Sequence, residues 1–132
     1  MTPRQIELVQ TSFQKVVPIA DKAADLFYER LFAVSPDLRQ MFPADMTAQK
    51  KKLMDTLQVA VDNLRRLDAV MPDIKEMGRR HVAYGVTVPQ YALVGGALLW
   101  TLGEALGPEF TPEMRAAWTE VYTALATAMT DT

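Results

Sequence analysis

The sequence contains no cysteine and a single histidine among its 132 residues. Without cysteine the chain can form no disulfide, no thiolate zinc site, no cysteine-held iron–sulfur cluster and no cysteine nucleophile. The same absence is typical of a reducing compartment, so we expect a cytoplasmic protein. A single imidazole also excludes metal sites that need two histidines, such as those of the His-Glu-x-x-His zinc enzymes. Any histidine chemistry therefore rests on His81.

Excess basic charge and long hydrophobic runs are missing as well. The 14 Lys and Arg residues are outnumbered by 16 Asp and Glu residues, which gives a net charge of -2. Because binding to nucleic acid usually needs a basic face, we expect no nucleic-acid partner. No segment approaches the roughly 18 uninterrupted apolar residues of a membrane span, and the first ten residues do not resemble a signal peptide. We therefore expect no membrane association.

The composition is that of one globular domain. Domains commonly contain about 100–200 residues. The hydrophobic share of 49% and the charged share of 23% are also ordinary for a globular protein. We therefore expect a single domain over residues 1–132, without room for a second catalytic domain.

Apolar residues recur at helical spacing, and proline or glycine marks the breaks between the segments. The first predicted helix begins at the Thr2-Pro3 cap and runs to about Pro18. The second covers DKAADLFYERLFAV, and SPDLRQMF after it has room for only one or two turns. No segment shows the alternation of a strand, so an all-α domain is predicted. Further helices are predicted to begin near Thr47, Pro72, Pro89 and Pro112, and the last two are the longest.

Two polar side chains are predicted to face inward. Gln49 lies one turn before Leu53, at the start of an apolar stripe that continues through Leu57 and Leu64. In the helix predicted to begin at Pro72, His81 shares a stripe with other apolar residues, and an inward histidine is more often a core residue than a metal ligand. Spacing alone leaves both roles open. The residues on that stripe are Ile74, Met77, His81 and Tyr84.

Motifs for phosphate binding and covalent catalysis are scarce. Gly95-Gly96 lies inside an apolar helical run with no strand before it, so we interpret the pair as permitting close helix packing. None of the few serines lies on a tight turn between a strand and a helix, which argues against a Ser-His-Asp triad. The candidate chemistry is therefore confined to inward-facing polar side chains.

The order of the motifs resembles the globin family over essentially the whole chain, in particular bacterial single-domain haemoglobins and the haem domain of flavohaemoglobins. No single motif is specific, but all of them follow the family's order and intervals. The resemblance implies a globin fold of about six to seven helices around one pocket for haem b. The motifs are LFYERLF with Tyr28, QMF with Phe42, Gln49 followed by Leu53, GRRHVAYG with His81, PQYALVGGALLWTLG with Tyr91, and AAWTEVYTALA.

The resemblance also implies roles for the quoted residues. His81 matches the histidine that binds haem iron through a ring nitrogen, a ligation typical of globins. Phe42 matches the aromatic residue that packs on the haem, and Leu53 matches a residue that closes the pocket above the iron. Tyr28 and Gln49 match the pair that donates hydrogen bonds to bound oxygen, which carries partial negative charge.

On the histidine side of the haem the pattern is incomplete. Tyr91 matches a tyrosine that joins a hydrogen-bond network with the iron-binding histidine and a glutamate near the end of the last helix. This chain lacks that glutamate and offers only Asp131 in its place. A strong electron push toward iron is therefore not expected. Arg80 is a candidate for pairing with a haem propionate, and a solvent-exposed role is the alternative.

Three functions follow as hypotheses. The first is reversible oxygen binding at a five-coordinate iron, with nitric oxide or carbon monoxide as further ligands. It includes nitric oxide dioxygenase activity if an external reductase supplies electrons. The second is a haem-based gas sensor or stress-response domain without turnover. The third is a haem-free helical interaction module in which His81 is structural, and the sequence leaves the oligomeric state open.

Overall fold

The computed structural model describes residues 1–130 as six α-helices joined by short turns, with no strand in that range. The predicted all-α class is confirmed, and the helix number lies within the predicted range. Tight 3-10 turns occupy Val17–Ile19, Pro36–Met41, Leu64–Arg66 and Gly107–Glu109. The helices are α1 (Pro3–Val16), α2 (Ala20–Val34), α3 (Thr47–Asp62), α4 (Leu67–Ala83), α5 (Val88–Leu106) and α6 (Pro112–Thr130).

Helix boundaries follow local capping signals. The Thr2 hydroxyl accepts a hydrogen bond from the Gln5 backbone N–H, and the Gln5 side chain accepts one from the Thr2 backbone N–H. At the start of α5, the Gln90 side chain likewise accepts from the Thr87 backbone N–H. Gly107 ends α5 with a φ of 58°, a backbone conformation that favours glycine. The predicted starts of α1 and α5 are each confirmed to within one residue.

The core forms where α1, α2, α5 and α6 pack together. The ring centroid of the buried Trp118 in α6 lies 6.1 Å from that of Phe13 in α1. The indole N–H donates to the Ser12 hydroxyl at 2.8 Å, and that hydroxyl donates to the Leu8 carbonyl at 2.7 Å. The polar edge of the tryptophan therefore has a partner inside the apolar core.

Ser12→Ala is expected to lower the free energy of unfolding by about 1–3 kcal/mol, because the buried Trp118 N–H loses its partner. Urea denaturation monitored by circular dichroism measures this loss. Ser35→Ala is the matched control, since the Ser35 side chain makes no capping hydrogen bond, and we expect a change within about 0.5 kcal/mol. Equal effects of the two substitutions would show that the hydrogen bond to Trp118 contributes nothing.

The helix that carries His81 begins earlier than the sequence predicts. We expected Pro72 to open it, whereas α4 begins at Leu67 and Pro72 lies inside it. Proline in a helix removes the hydrogen bond to the carbonyl four residues earlier, which here is that of Asp68. Both Asp68 and Pro72 are exposed, so water can solvate the unpaired carbonyl. The proline is tolerated for this reason, and the boundary prediction is wrong by one and a half turns.

Tyr84 was predicted to share the buried stripe of His81, and this prediction is also wrong. The helix ends at Ala83, and Tyr84 follows it as a 61% exposed residue. Gly85, with a φ of 87°, then turns the chain toward α5. The helical spacing therefore stops one residue too early to place Tyr84 on the buried side.

The Gly95-Gly96 pair divides into one packing residue and one exposed residue. A Cβ added to Gly95 would lie 2.7 Å from the ring of Tyr122 in α6, closer than side chains pack. A Cβ added to Gly96 would meet nothing within 4 Å. The predicted close helix packing is confirmed for Gly95 and wrong for Gly96.

The helix that carries Tyr28 and the helix that carries His81 pack against different neighbours. α2 packs against α5 and α3, whereas α4 packs chiefly against α6. On α3 the stripe is buried at Val61 but only half-buried at Leu53 and Leu57. Apolar surface therefore remains accessible on the part of α3 that follows Gln49.

None of the helices within residues 1–130 is by itself both long and apolar enough to cross a membrane. The segments Leu64–Ala83 and Val88–Glu109 satisfy the length and composition of a span only as a pair, and a bend of 113° separates them.

Candidate functional site

Tyr28 and Gln49, predicted to act together, are hydrogen-bonded partners. The Gln49 side-chain amide donates to the Tyr28 hydroxyl oxygen at 3.1 Å. Lys50, the next residue on α3, forms an ion pair of 2.8 Å with Asp25, which lies one turn before Tyr28 on α2. The hydrogen bond and the ion pair together tie the start of α3 to the middle of α2.

The Tyr28 hydroxyl keeps its proton over a wide pH range. The side chain is 4% exposed, and burial raises the pKa of Tyr28 above its usual value, while the hydrogen bond from Gln49 lowers it by less. Within residues 1–130 the hydroxyl oxygen accepts from Gln49, so its own O–H can donate elsewhere. The pair therefore presents a neutral hydrogen-bond donor.

Aromatic rings surround Tyr28 on several sides. The ring centroid of Phe42 lies 5.6 Å away at a steep angle, that of Phe32 lies at 5.8 Å, and that of Phe27 at 4.9 Å. The contacts with Phe42 and Phe27 are edge-to-face, a geometry that aromatic pairs prefer, and they restrict the orientation of the phenol ring. Leu53 packs against the hydrophobic core, of which Tyr28 is a member, and stays half-buried. The structure therefore brings Tyr28, Gln49 and Phe42 together.

His81 is half-buried near the end of α4, and one of its ring nitrogens is already engaged. Its Nδ1 lies 2.7 Å from the carbonyl oxygen of Met77, one turn earlier. A carbonyl can only accept, so we assign the hydrogen to Nδ1. In the neutral ring Nε2 then bears the lone pair, which is the form of imidazole that binds a metal.

Tyr91 lies beside His81, and their ring centroids are 6.3 Å apart. The hydrogen-bond partner of His81 Nδ1 is the Met77 carbonyl. The Tyr91 hydroxyl is therefore not the partner of Nδ1, although the two rings are neighbours. The Tyr91 carbonyl accepts a 2.6 Å hydrogen bond from the Tyr122 hydroxyl. Asp131, the carboxylate that the sequence offers in place of the missing glutamate, lies outside the described residues.

The stability of the folded chain is expected to fall as the pH rises above 10. Burial raises the pKa of both Tyr28 and Tyr122, with Tyr91 contributing further to the rise at Tyr122. The unfolded chain then loses these protons more readily than the folded chain, so the unfolding free energy decreases with pH. Urea midpoints measured between pH 8 and 11 test this slope, and Tyr122→Phe should flatten it. A slope identical in Tyr122→Phe and the parent would contradict the assignment.

Arg80 lies on the polar side of α4. It is exposed, and it takes part in none of the ion pairs found among residues 1–130. Within that range the Arg80 side chain forms no hydrogen bond or ion pair with the neighbouring His81. The structure thus assembles two groups of predicted residues on different helices, one around Tyr28 and one around His81, and the Arg80 side chain is bonded to neither.

The available ligand set fits a haem. Within residues 1–130 no group of three or more His, Cys, Asp or Glu side chains is placed to hold a metal ion. A porphyrin already supplies four nitrogens to iron, so one protein ligand such as His81 is sufficient. Half-buried apolar side chains could cover the faces of such a flat group. They include Phe42, Leu53, Leu57, Leu93 and Val94.

The sequence pattern predicts no role for Tyr122 or Gly78. Tyr122 lies within the quoted motif AAWTEVYTALA, but nothing in its spacing shows that its hydroxyl reaches across to α5. Gly78 lies three residues before His81 and is buried against α6. A glycine inside a helix is the available signal for a close backbone approach, and the pattern alone does not name the partner.

The comparison with protein families is decisive for the fold. A family model described as Globin matches residues 25–129. The chain belongs to the globin family. The matched range contains Tyr28, Gln49 and His81, and the resemblance inferred from the motif order is confirmed.

Two relatives are flavohemoproteins of bacilli. The chain is 28% identical over 130 residues to the Flavohemoprotein of Bacillus subtilis, and that alignment covers 95% of this globin and 32% of the relative. It is 32% identical over 103 residues to the Flavohemoprotein of Oceanobacillus iheyensis, and that alignment covers 76% of this globin and 25% of the relative. The chain therefore spans about a third or less of the curated relatives that it matches.

Proposed function

We propose that this globin binds haem and a diatomic gas, with His81 as the protein ligand to iron. The observation that carries the proposal is the engagement of His81 Nδ1 by the Met77 carbonyl at 2.7 Å. That hydrogen bond fixes the tautomer and the ring orientation, and it leaves Nε2 for the metal. Haem b is the cofactor that we propose.

Tyr28 and Gln49 are proposed to select and hold oxygen. Gln49 donates to the phenol oxygen, so the phenol proton is not used in that hydrogen bond and is available for a bound ligand. Donation to a partially negative acceptor is stronger than donation to a neutral one. Because oxygen polarises more than carbon monoxide when it binds, a phenol donor favours oxygen over carbon monoxide.

Other residues are proposed to hold the cofactor in place. Phe42 packs edge-on against Tyr28 and keeps one half-buried surface, so it can contact a flat ring without leaving the cluster. Leu53 lies one turn after Gln49 and would exclude water from the donor pair. Arg80 is proposed to pair with a propionate, which its exposure permits.

The proposed reaction is the oxidation of nitric oxide to nitrate. When bound, haem supplies the iron at which one NO, one O₂ and one electron give one nitrate ion. Tyr28 would hold the oxygen in one orientation, and the aromatic cluster would exclude water from it. The electron has to come from a reductase, and the relatives' printed name, which joins flavin and haem, supports a flavin-bearing donor. A cytoplasmic location is part of the same proposal.

Anaerobic reduction followed by timed addition of oxygen and nitric oxide tests the activity. With a flavin-dependent reductase present, we expect sustained consumption of nitric oxide and accumulation of nitrate in equal amounts. Tyr28→Phe should lower the rate, whereas Tyr84→Phe removes an exposed hydroxyl and should not. Oxygen binding without turnover would favour the gas-sensor function, and absence of haem binding would favour the interaction module.

A further inference from the structure

The position of His81 depends on a backbone contact between two helices. α4 packs chiefly against α6, so α6 is the element on which the histidine-bearing helix rests. At the contact, the buried Gly78 of α4 lies against the backbone of Met129 in α6. A Cβ added to Gly78 would lie 2.8 Å from the Met129 Cα and would overlap the Met129 carbonyl oxygen. Only glycine allows the two backbones to approach this closely.

We propose that Gly78 is a positioning residue, which sets the distance of α4 from α6 and thereby the place at which His81 presents Nε2. The proposal rests on the proposed role of His81 as the iron ligand. Gly78 and His81 are less than one turn apart, or about 4.5 Å along the helix axis. The imidazole is bound through Nδ1 to the Met77 carbonyl, so it moves together with the backbone of that turn.

Any larger residue at position 78 would move the helix. The atoms in contact are backbone atoms of Met129, which cannot swing aside as the end of a side chain can. The added Cβ would need to move from 2.8 Å to at least 3.4 Å from the Met129 Cα, which requires α4 and α6 to separate. A metal ligand has to be held within about 0.5 Å of its productive position. The separation is therefore large enough to weaken the bond between His81 and iron.

A glycine inside a helix lowers the stability of that helix, so Gly78 is unfavourable unless the close contact with α6 requires it. Alanine is preferred to glycine in a helix interior, so Gly78→Ala would improve the helix if nothing opposed the added methyl group. Gly96 in α5 provides the comparison, because a Cβ there would meet nothing within 4 Å. The two substitutions make the same chemical change inside a helix. They differ in whether the new Cβ meets a backbone.

The test uses the full chain reconstituted with haem, as the parent, Gly78→Ala and Gly96→Ala. We measure haem loss to a scavenger protein and the iron–imidazole stretching band of the ferrous protein by resonance Raman spectroscopy. Gly78→Ala should lose haem at least tenfold faster and shift or broaden the band, and Gly96→Ala should match the parent. Equal behaviour of the two variants would overturn the proposal. A parent without a histidine-bound haem would instead contradict the proposed function.

A second pair of variants separates positioning from general damage. In His81→Gly with added imidazole, the iron ligand is no longer attached to α4. Adding Gly78→Ala in that background should leave the iron–imidazole band unchanged. The same shift as in the parent background would show that Gly78 acts on the whole pocket, which overturns the proposal.

The parent itself supplies a measurement that does not depend on how Gly78→Ala folds. Haem binding through His81 should slow hydrogen exchange at the amides of α4 and also at the Met129 end of α6, because the two helices are in backbone contact there. Protection confined to α4 would contradict the coupling.

Discussion

Replacing His81 with alanine is expected to abolish tight haem binding, with an affinity loss of at least tenfold, or about 1.4 kcal/mol. His81 is the only histidine in the sequence, so no second imidazole can take its place. Haem titration followed in the Soret region measures the loss. Added imidazole should restore a histidine-like spectrum, because the cavity left by the side chain can admit the free ligand.

Arg79→Ala is the matched control for this substitution. Arg79 lies two residues earlier in α4, on an exposed face, where it pairs with Glu76 at 2.8 Å. Its removal should leave haem binding unchanged, since exposed ion pairs contribute little to stability. A normal five-coordinate ferrous spectrum in His81→Ala would overturn the assignment of the iron ligand.

Removing the Tyr28 hydroxyl is expected to speed oxygen dissociation by one to two orders of magnitude. A hydrogen bond to a charged acceptor contributes about 1.5–3 kcal/mol, and a tenfold change in rate or affinity corresponds to about 1.4 kcal/mol. Stopped-flow displacement of oxygen by carbon monoxide measures the rate in Tyr28→Phe. The phenylalanine ring keeps the edge-to-face contacts with Phe42 and Phe27, so packing should be preserved.

Gln49→Leu should raise the same rate several-fold, because it removes the amide that holds the Tyr28 oxygen. Gln58→Leu, which alters another glutamine of α3 that bonds to Asp62, is the control and should have no effect. The double variant should dissociate oxygen no faster than the product of the two single effects, since bonded partners are not independent. Parent rates in both single variants would show that neither residue is a donor.

Much of the fold could be predicted because its signals are local. The Thr2 cap and the helical spacing in α2 each act over a few residues, and the structure confirms both. The start of α4 could not be predicted in the same way, because the tolerance of Pro72 depends on whether the Asp68 carbonyl reaches water. That exposure is set by the surrounding tertiary structure rather than by the neighbouring residues.

In the candidate site, too, some residues could be predicted from the sequence and others could not. The resemblance named Tyr28 and Gln49 from the motif order, and the structure places them in hydrogen-bond contact. Their roles, like that of His81, are predictions that remain to be tested. Gly78 could not be found from spacing, since its partner is the backbone of a residue about fifty positions later in the chain. A contact between two backbones leaves no pattern in side-chain chemistry.

The absorption spectrum of the purified chain with bound haem tests the central claim most directly. We expect an intense Soret band, a five-coordinate ferrous spectrum after dithionite, and a reversible shift when oxygen replaces the inert gas. A chain that binds no haem, or a ferrous form that stays unchanged under oxygen, would contradict the proposal that this globin is an oxygen-binding haem protein.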